Sequence, residues 1–251
     1  MNILYDERLD GPLPQVDKDG LLAELRLRLP DLELLHAAED LRPYECDGLS
    51  AYRCTPLLVA LPERIEQVQG LLALCHRLKV PVVARGAGTG LSGGALPLEN
   101  GVLLVMARFR RILEIDPLGR FARVQPGVRN LAISQAAAPH GLYYAPDPSS
   151  QIACSIGGNV AENAGGVHCL KYGLTVHNLL QVDIVTLEGE RLSLGSSALD
   201  SAGFDLLALF TGSEGLLGVV VEVTVRLLPR PPVAKVLLAS FDDVESAGRA
   251  V

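Results

Sequence analysis

"PVVARGAGTGLSGGALP", residues 81–97, places five glycines (Gly86, Gly88, Gly90, Gly93, Gly94) within nine positions, directly behind a β-like run. Glycine at this density gives up backbone entropy on folding and buries little in return. The composition implies that something approaches this main chain too closely to tolerate Cβ atoms. What precedes the loop decides how it is read. "PLLVALP" reads as an apolar strand over 57–61. "PERIEQVQGLLALCHRLK" (62–79) reads as an amphipathic helix, with proline at its start and Ile65, Val68, Leu72, Cys75 and Leu78 on one face. "VPVVA" (80–84) is a second strand. This β-α-β unit predicts parallel strands, and the glycine loop leaves the carboxyl end of the second one, where open α/β sheets place ligands.

Three devices use such a loop. Gly88-Thr89-Gly90-Leu91-Ser92-Gly93 fits the G-x-G-x-x-G dinucleotide fingerprint, with Glu114 or Asp116 near the acidic distance. That motif needs a helix straight after it, and "GGALPLENGVLLVM" leaves room for none. Gly90-Leu91-Ser92-Gly93-Gly94 fits the G-x-S-x-G nucleophile elbow, which needs the same missing helix. The third device is an anion cradle, in which successive amides turn inward around a phosphate and Arg85 adds charge at the lip. A second long stretch, "APDPSSQIACSIGGNVAENAGGVH" (145–168), repeats the composition and reads as irregular. Loops of this length in a compact domain are functional or disordered. Two such loops suit a ligand that carries a pyrophosphate and much more besides.

The rest of the chain bounds the alternatives. It has 251 residues, a formal charge of −7 and 49% hydrophobic residues, so a substantial core is expected. The densest basic stretch, "RFRR" (108–111), is short, which argues against nucleic acid and anionic membranes as partners. Five cysteines (Cys46, Cys54, Cys75, Cys154, Cys169) form no C-x-x-C pair, which suits reduced thiols and predicts no metal site; His168 beside Cys169 cannot close one alone. "MNILYDERLD" (1–10) lacks the basic start and apolar run of a secretory signal.

Further elements are predicted as follows. A helix spans 18–29. Strands lie at 101–107, 111–116 and 120–125, the last two joined by a "PLG" turn. A helix over 128–139 is closed by Pro139 and Gly141. A hairpin runs over 178–195 around Gly189, a short helix over 204–210 and a long strand over 218–229. After "RPP" (230–232) a strand is expected at 235–241, then a helix capped by Asp242-x-x-Glu245. A unit begun there and not finished makes the chain read as part of a longer protein.

Three segments in this order, "PVVARGAGTGLSGG", "APDPSSQIACSIGGNVAENAGGVHCLKYG" and "LFTGSEGLLGVVVEVTVRLLP", resemble the flavin-binding domain of the FAD-linked oxidase family, the PCMH-type or vanillyl-alcohol-oxidase-like fold. The likeness runs from Thr55 to Pro229. It implies an α+β fold: a PCMH-type FAD-binding domain (55–230) of two α/β subdomains with mixed sheets, an N-terminal segment (1–54), and the start of a C-terminal FAD-oxidase domain (231–251). Within the family "YECDGLSAYR" (44–53) and "PDPSS" are most similar to the FAD subunit of bacterial glycolate oxidase; D-lactate and D-2-hydroxyglutarate dehydrogenases are close behind.

The resemblance implies that FAD, bound non-covalently, is the group that approaches the loop. Arg85, Gly86, Ala87, Gly88, Thr89, Gly90 and Ser92 would wrap the diphosphate. Pro146, Asp147, Ser149, Ser150, Ser155, Gly157, Gly158 and Asn159 would line the ribityl and isoalloxazine side, continued by Asn163, Gly165 and Gly166. Glu214, Gly215 and Val219 would approach the adenosine. It implies a 2-hydroxy acid substrate, glycolate first, with catalytic groups in a C-terminal domain not found in these residues. It further implies partner subunits, one of them iron–sulfur, and a cytoplasmic location at the periphery of the inner membrane. A non-catalytic nucleotide-binding module remains the alternative from another class.

Overall fold

The computed structural model describes residues 15–196, 198 and 203–251. The reading of residues 1–10 as lacking a secretory signal concerns positions outside that range. Helix α1 (Lys18–Arg28) opens the described chain, N-capped by Asp17, whose side chain accepts from Gly20 N. Strand β1 (Glu33–Leu35), the short helix α2 (Ala38–Leu41) and strand β2 (Leu58–Leu61) follow. Helix α3 (Ile65–Leu78) carries Val68, Leu71, Leu72 and Cys75 on its buried side and ends at Lys79 in the left-handed region. Strands β3 (Val82–Arg85) and β4 (Val102–Val105) complete the first sheet.

Its order is β1-β2-β4-β3. β2 and β3 are parallel, as the β-α-β reading predicts, but β4 lies between them and pairs with both. The glycine loop therefore connects neighbouring parallel strands with no helix in it, which removes the fingerprint and elbow readings alike. Alternation along the strands builds two cores. Leu58, Ala60, Val102 and Leu104 face α1 and α3, while Val59, Leu61, Leu103 and Val105 face Leu41 and Tyr44.

The second sheet is antiparallel throughout. It is built from β5 (Ile112–Asp116), β6 (Phe121–Val124), β8 (Leu179–Val185), β9 (Arg191–Gly195) and β10 (Val219–Arg226), in the order β5-β6-β10-β8-β9. Helix α4 (Asn130–Ala137) and helix α5 (Ile156–Glu162) pack on one face through Ile133, Ile156 and Val160. From its other face Val185, Val219 and Val221 enter the core of the first sheet, so the two sheets share apolar packing. A two-residue strand β7 (Leu142–Tyr143), helix α6 (Cys169–Tyr172), helix α7 (Leu206–Phe210) and strand β11 (Leu228–Pro229), which pairs with β7, complete the body.

Three expectations are corrected. Residues 145–168 are not irregular throughout, because α5 occupies their centre. Ile156 and Val160 take the buried face, and Asn163 at φ 50° ends the helix. The strand expected at 235–241 does not form: Val236, Leu237 and Leu238 are almost fully exposed, and no neighbouring strand among the described residues offers the hydrogen bonds a strand needs. Helix α8 (Val244–Ala250) is capped by Asp243 rather than Asp242; the Asp243 carboxylate accepts from Ser246 N at 2.7 Å.

Candidate functional site

The glycine loop, α5 and the turn before β10 enclose a cleft of about 310 Å³. Arg85, Gly86, Ala87, Gly88, Thr89 and Gly90 form its first wall. Ser150, Ser155, Gly157 and Gly158 form the second, and Glu214, Gly215 and Val219 the third. The glycines differ in what a Cβ would meet. A Cβ at Gly86 would overlap Ser155 Oγ, and one at Gly88 (φ 68°) would overlap the Arg85 guanidinium. At Gly90 the only neighbour within 4 Å would be Glu162 Oε1, at 3.6 Å, so here the backbone opens onto the cleft itself. The close approach inferred from the sequence is thus made partly by the protein's own side chains.

Other residues singled out in the sequence lie behind the cleft. Asn159 is buried and donates to Asn130 Oδ1 at 2.9 Å, and Asn130 in turn donates to the Pro146 carbonyl at 2.9 Å. That chain ties the second loop to α5. Asn163 Oδ1 accepts from Val176 N at 3.0 Å. A Cβ at Gly165 would meet Leu174, and one at Gly166 would meet Asp147. Asp147 Oδ2 lies 2.7 Å from His168 Nδ1, and Ser149 is exposed. Ser92 sits beside the cleft, where its hydroxyl donates to the Glu162 carboxylate at 2.9 and 3.0 Å.

Several cleft residues were missed, and two of them carry reactive side chains. Glu162 and Cys154 both line it. Ser155, Gly158 and Glu162 recur at helical spacing on one face of α5, a signal that is invisible once the stretch is read as a loop. Tyr143, Tyr144 and Tyr172, which flank the second loop, are not among the residues that line the cleft. Tyr144 is buried in the core of the second sheet, and Tyr143 packs edge-on against Tyr172, ring centroids 6.3 Å apart. Burial, with the hydrogen bond to Tyr172, pushes the Tyr143 phenol up to about 12; that same bond and Lys171 pull Tyr172 down.

The site fits a dinucleotide on two counts. Ser155 Oγ is buried in the cleft wall with no hydrogen-bond partner, and a buried hydroxyl left unpaired costs about 1–3 kcal/mol. The open face of Gly90 supplies backbone where a Cβ would fill the cleft. Arg85 provides a cation, although burial holds its pKa below the usual arginine value.

A cleft lined by glycine-rich backbone and serine hydroxyls is of the class that binds nucleotides. Residues 56–195, more than half of the chain, match the FAD binding domain family model, and the chain belongs to that family; its cofactor is FAD. It is 76% identical over 251 residues to "Glycolate oxidase subunit GlcD" of Escherichia coli (strain K12), covering 100% of this chain and 50% of that protein. It is 41% identical over 209 residues to the subunit of the same name from Bacillus subtilis (strain 168), covering 83% and 44%. A "D-2-hydroxyglutarate dehydrogenase" of Xanthomonas citri pv. viticola is 37% identical over 228 residues, covering 89% and 48%. The chain thus spans about half the length of the curated relatives it matches. Among solved structures, alkyldihydroxyacetonephosphate synthase superposes with TM-score 0.76 at 23% identity, covering 91% of this chain and 44% of that one, which shows the PCMH-type fold.

Proposed function

We propose that this chain is the FAD-holding part of a flavin-dependent oxidoreductase that converts glycolate to glyoxylate. The observation that carries the reading is the convergence of the two glycine- and serine-rich loops on one cleft, in a chain 76% identical to a glycolate oxidase subunit. Bound FAD would accept the hydride leaving the α-carbon of a 2-hydroxy acid. In this proposal the residues of the chain hold and orient. The loop amides from Gly86 to Gly90, with Arg85, bind the diphosphate, and Ser155 Oγ gains the partner it lacks. Ser150 lines the second wall, while Glu214 and Gly215 face the adenosine. Pro146, Asp147, Ser149, Asn159, Asn163, Gly165 and Gly166 serve by supporting that wall rather than by touching the cofactor. The groups that clamp the substrate carboxylate and take the hydroxyl proton are assigned to the part of the protein that the matched relatives have beyond this span.

The Xanthomonas relative favours a second reading, a D-2-hydroxy-acid dehydrogenase. Anaerobic mixing of the full-length flavoprotein with glycolate, D-lactate and D-2-hydroxyglutarate separates the two. Fastest bleaching by glycolate supports the first reading; bleaching by either of the others alone overturns it. Since the relative is a subunit, assembly with further subunits, an iron–sulfur one among them, belongs to the same proposal. So does attachment to the inner-membrane surface through them. No helix among the described residues is long and apolar enough to cross a membrane.

A further inference from the structure

The glycine loop is braced from outside the segment that the family model matches. Arg85 Nη1 donates to the Cys46 carbonyl at 2.8 Å, and its guanidinium lies 6.0 Å from the centre of the Tyr44 ring. A Cβ on Gly48 would stand 2.8 Å from the Gly90 carbonyl oxygen and 2.9 Å from that of Thr89, so the two backbones run in contact. The segment is itself pinned. Cys54 N donates to the Glu45 carbonyl at 2.7 Å, and Arg53 pairs with the Glu45 carboxylate.

Asp47 stands out within this segment. It is 7% exposed; Oδ1 accepts from Leu49 N at 2.8 Å, and Oδ2 is buried with no hydrogen-bond partner. Burying a carboxylate oxygen unpaired is expensive unless a cation offsets it. Arg85 is the cation the geometry brings to this segment: its guanidinium is hydrogen-bonded to the carbonyl of Cys46, the residue next to Asp47, and the Asp47 charge opposes the lowering of its pKa by burial. The guanidinium in turn occupies the space beneath Gly88.

We propose that residues 44–49 form a strap that seats the glycine loop, and that Asp47 is a positioning residue acting through Arg85 on the shape of the FAD diphosphate cradle. Arg85 then serves first as a pillar under Gly88, neutralised from behind, and only second as a charge for the phosphates. The strap makes FAD affinity depend on residues that precede the matched domain.

The inference rests on FAD binding in this cleft, which the parent protein reports separately. The test measures FAD dissociation constants by flavin fluorescence titration, and melting temperatures without flavin, for the parent, Asp47→Asn, Arg85→Gln and the double variant. Asp47→Asn retains an oxygen for Leu49 N and loses the charge. We expect FAD binding to weaken about tenfold or more, and the double variant to bind about as weakly as Arg85→Gln alone. Multiplying losses in the double variant, or affinity within about twofold of the parent in Asp47→Asn, would overturn the proposal. If Asp47→Asn fails to fold, Gly48→Ala carries the test. Its methyl must push Thr89 and Gly90 aside, so parental affinity there also overturns the strap. A parent that binds no FAD would instead sink the reading of the cleft.

Discussion

A methyl group at Gly88 meets two obstacles at once. The residue sits at φ 68°, where an L side chain costs about 1–2 kcal/mol, and the Arg85 guanidinium fills the space its Cβ would need. Gly88→Ala should therefore weaken FAD binding about tenfold or more, by tilting the loop rather than by touching the cofactor. Calorimetric titration checks this, and unchanged affinity would remove Gly88 from the cradle. Ser155 carries the opposite expectation. Its buried hydroxyl lacks a partner in the flavin-free protein, so Ser155→Ala should leave the flavin-free melting temperature unchanged or raised. FAD affinity should nonetheless drop several-fold, the weight of about one hydrogen bond. Parallel loss of both would mark the hydroxyl as structural.

At the scale of elements, α5 is held to the second loop by the Asn159–Asn130–Pro146 chain of hydrogen bonds. Asn159→Leu leaves Asn130 Oδ1 without its donor, at a cost of about 1–3 kcal/mol. In a protein of this size that lowers the melting temperature by about 2–4 °C per kcal/mol, which scanning calorimetry resolves. Helix α3 gives a pH prediction. Burial pushes the Cys75 thiol up to about 12 from its ordinary value of 9.0, because the thiolate cannot be solvated there. The folded value lies above the unfolded one, so this contribution to stability is complete below pH 9 and is lost as pH climbs toward 12. Urea midpoints for Cys75→Ala and the parent should converge in that range. At pH 8 a disulfide reagent should modify the exposed Cys169 at once and Cys75 only on unfolding.

For the whole molecule the open question is how the flavin is held. The glycine loop contains neither histidine nor cysteine, which predicts non-covalent FAD; Cys154, however, faces the same cleft. Acid precipitation of the flavin-loaded protein should release the yellow colour into the supernatant. Colour retained in the pellet and lost in Cys154→Ser would establish a thioether instead.

The sequence by itself determined the apolar periods, the turns and the two loops. The strands at 57–61 and 80–84 with the helix between them, the hairpin around Gly189 and the two glycine- and serine-rich stretches that line the cleft were legible, whereas Glu214, Gly215 and Val219 were reached only through the family resemblance. Each depends on local chemistry: alternation, proline and glycine placement, and backbone too crowded for Cβ atoms. Only the tertiary structure decided that β4 enters between β2 and β3, because a parallel strand is placed by partners far away in the chain. It alone turned residues 156–162 into a helix, since a glycine-containing segment of seven residues has little helix propensity and is held by burial of Ile156 and Val160. It also separated Gly86 and Gly88, where a Cβ would collide with Ser155 and Arg85, from Gly90, which has open space beside it in the cleft. That difference lies in where Arg85 and Ser155 point, which packing sets and no local pattern encodes.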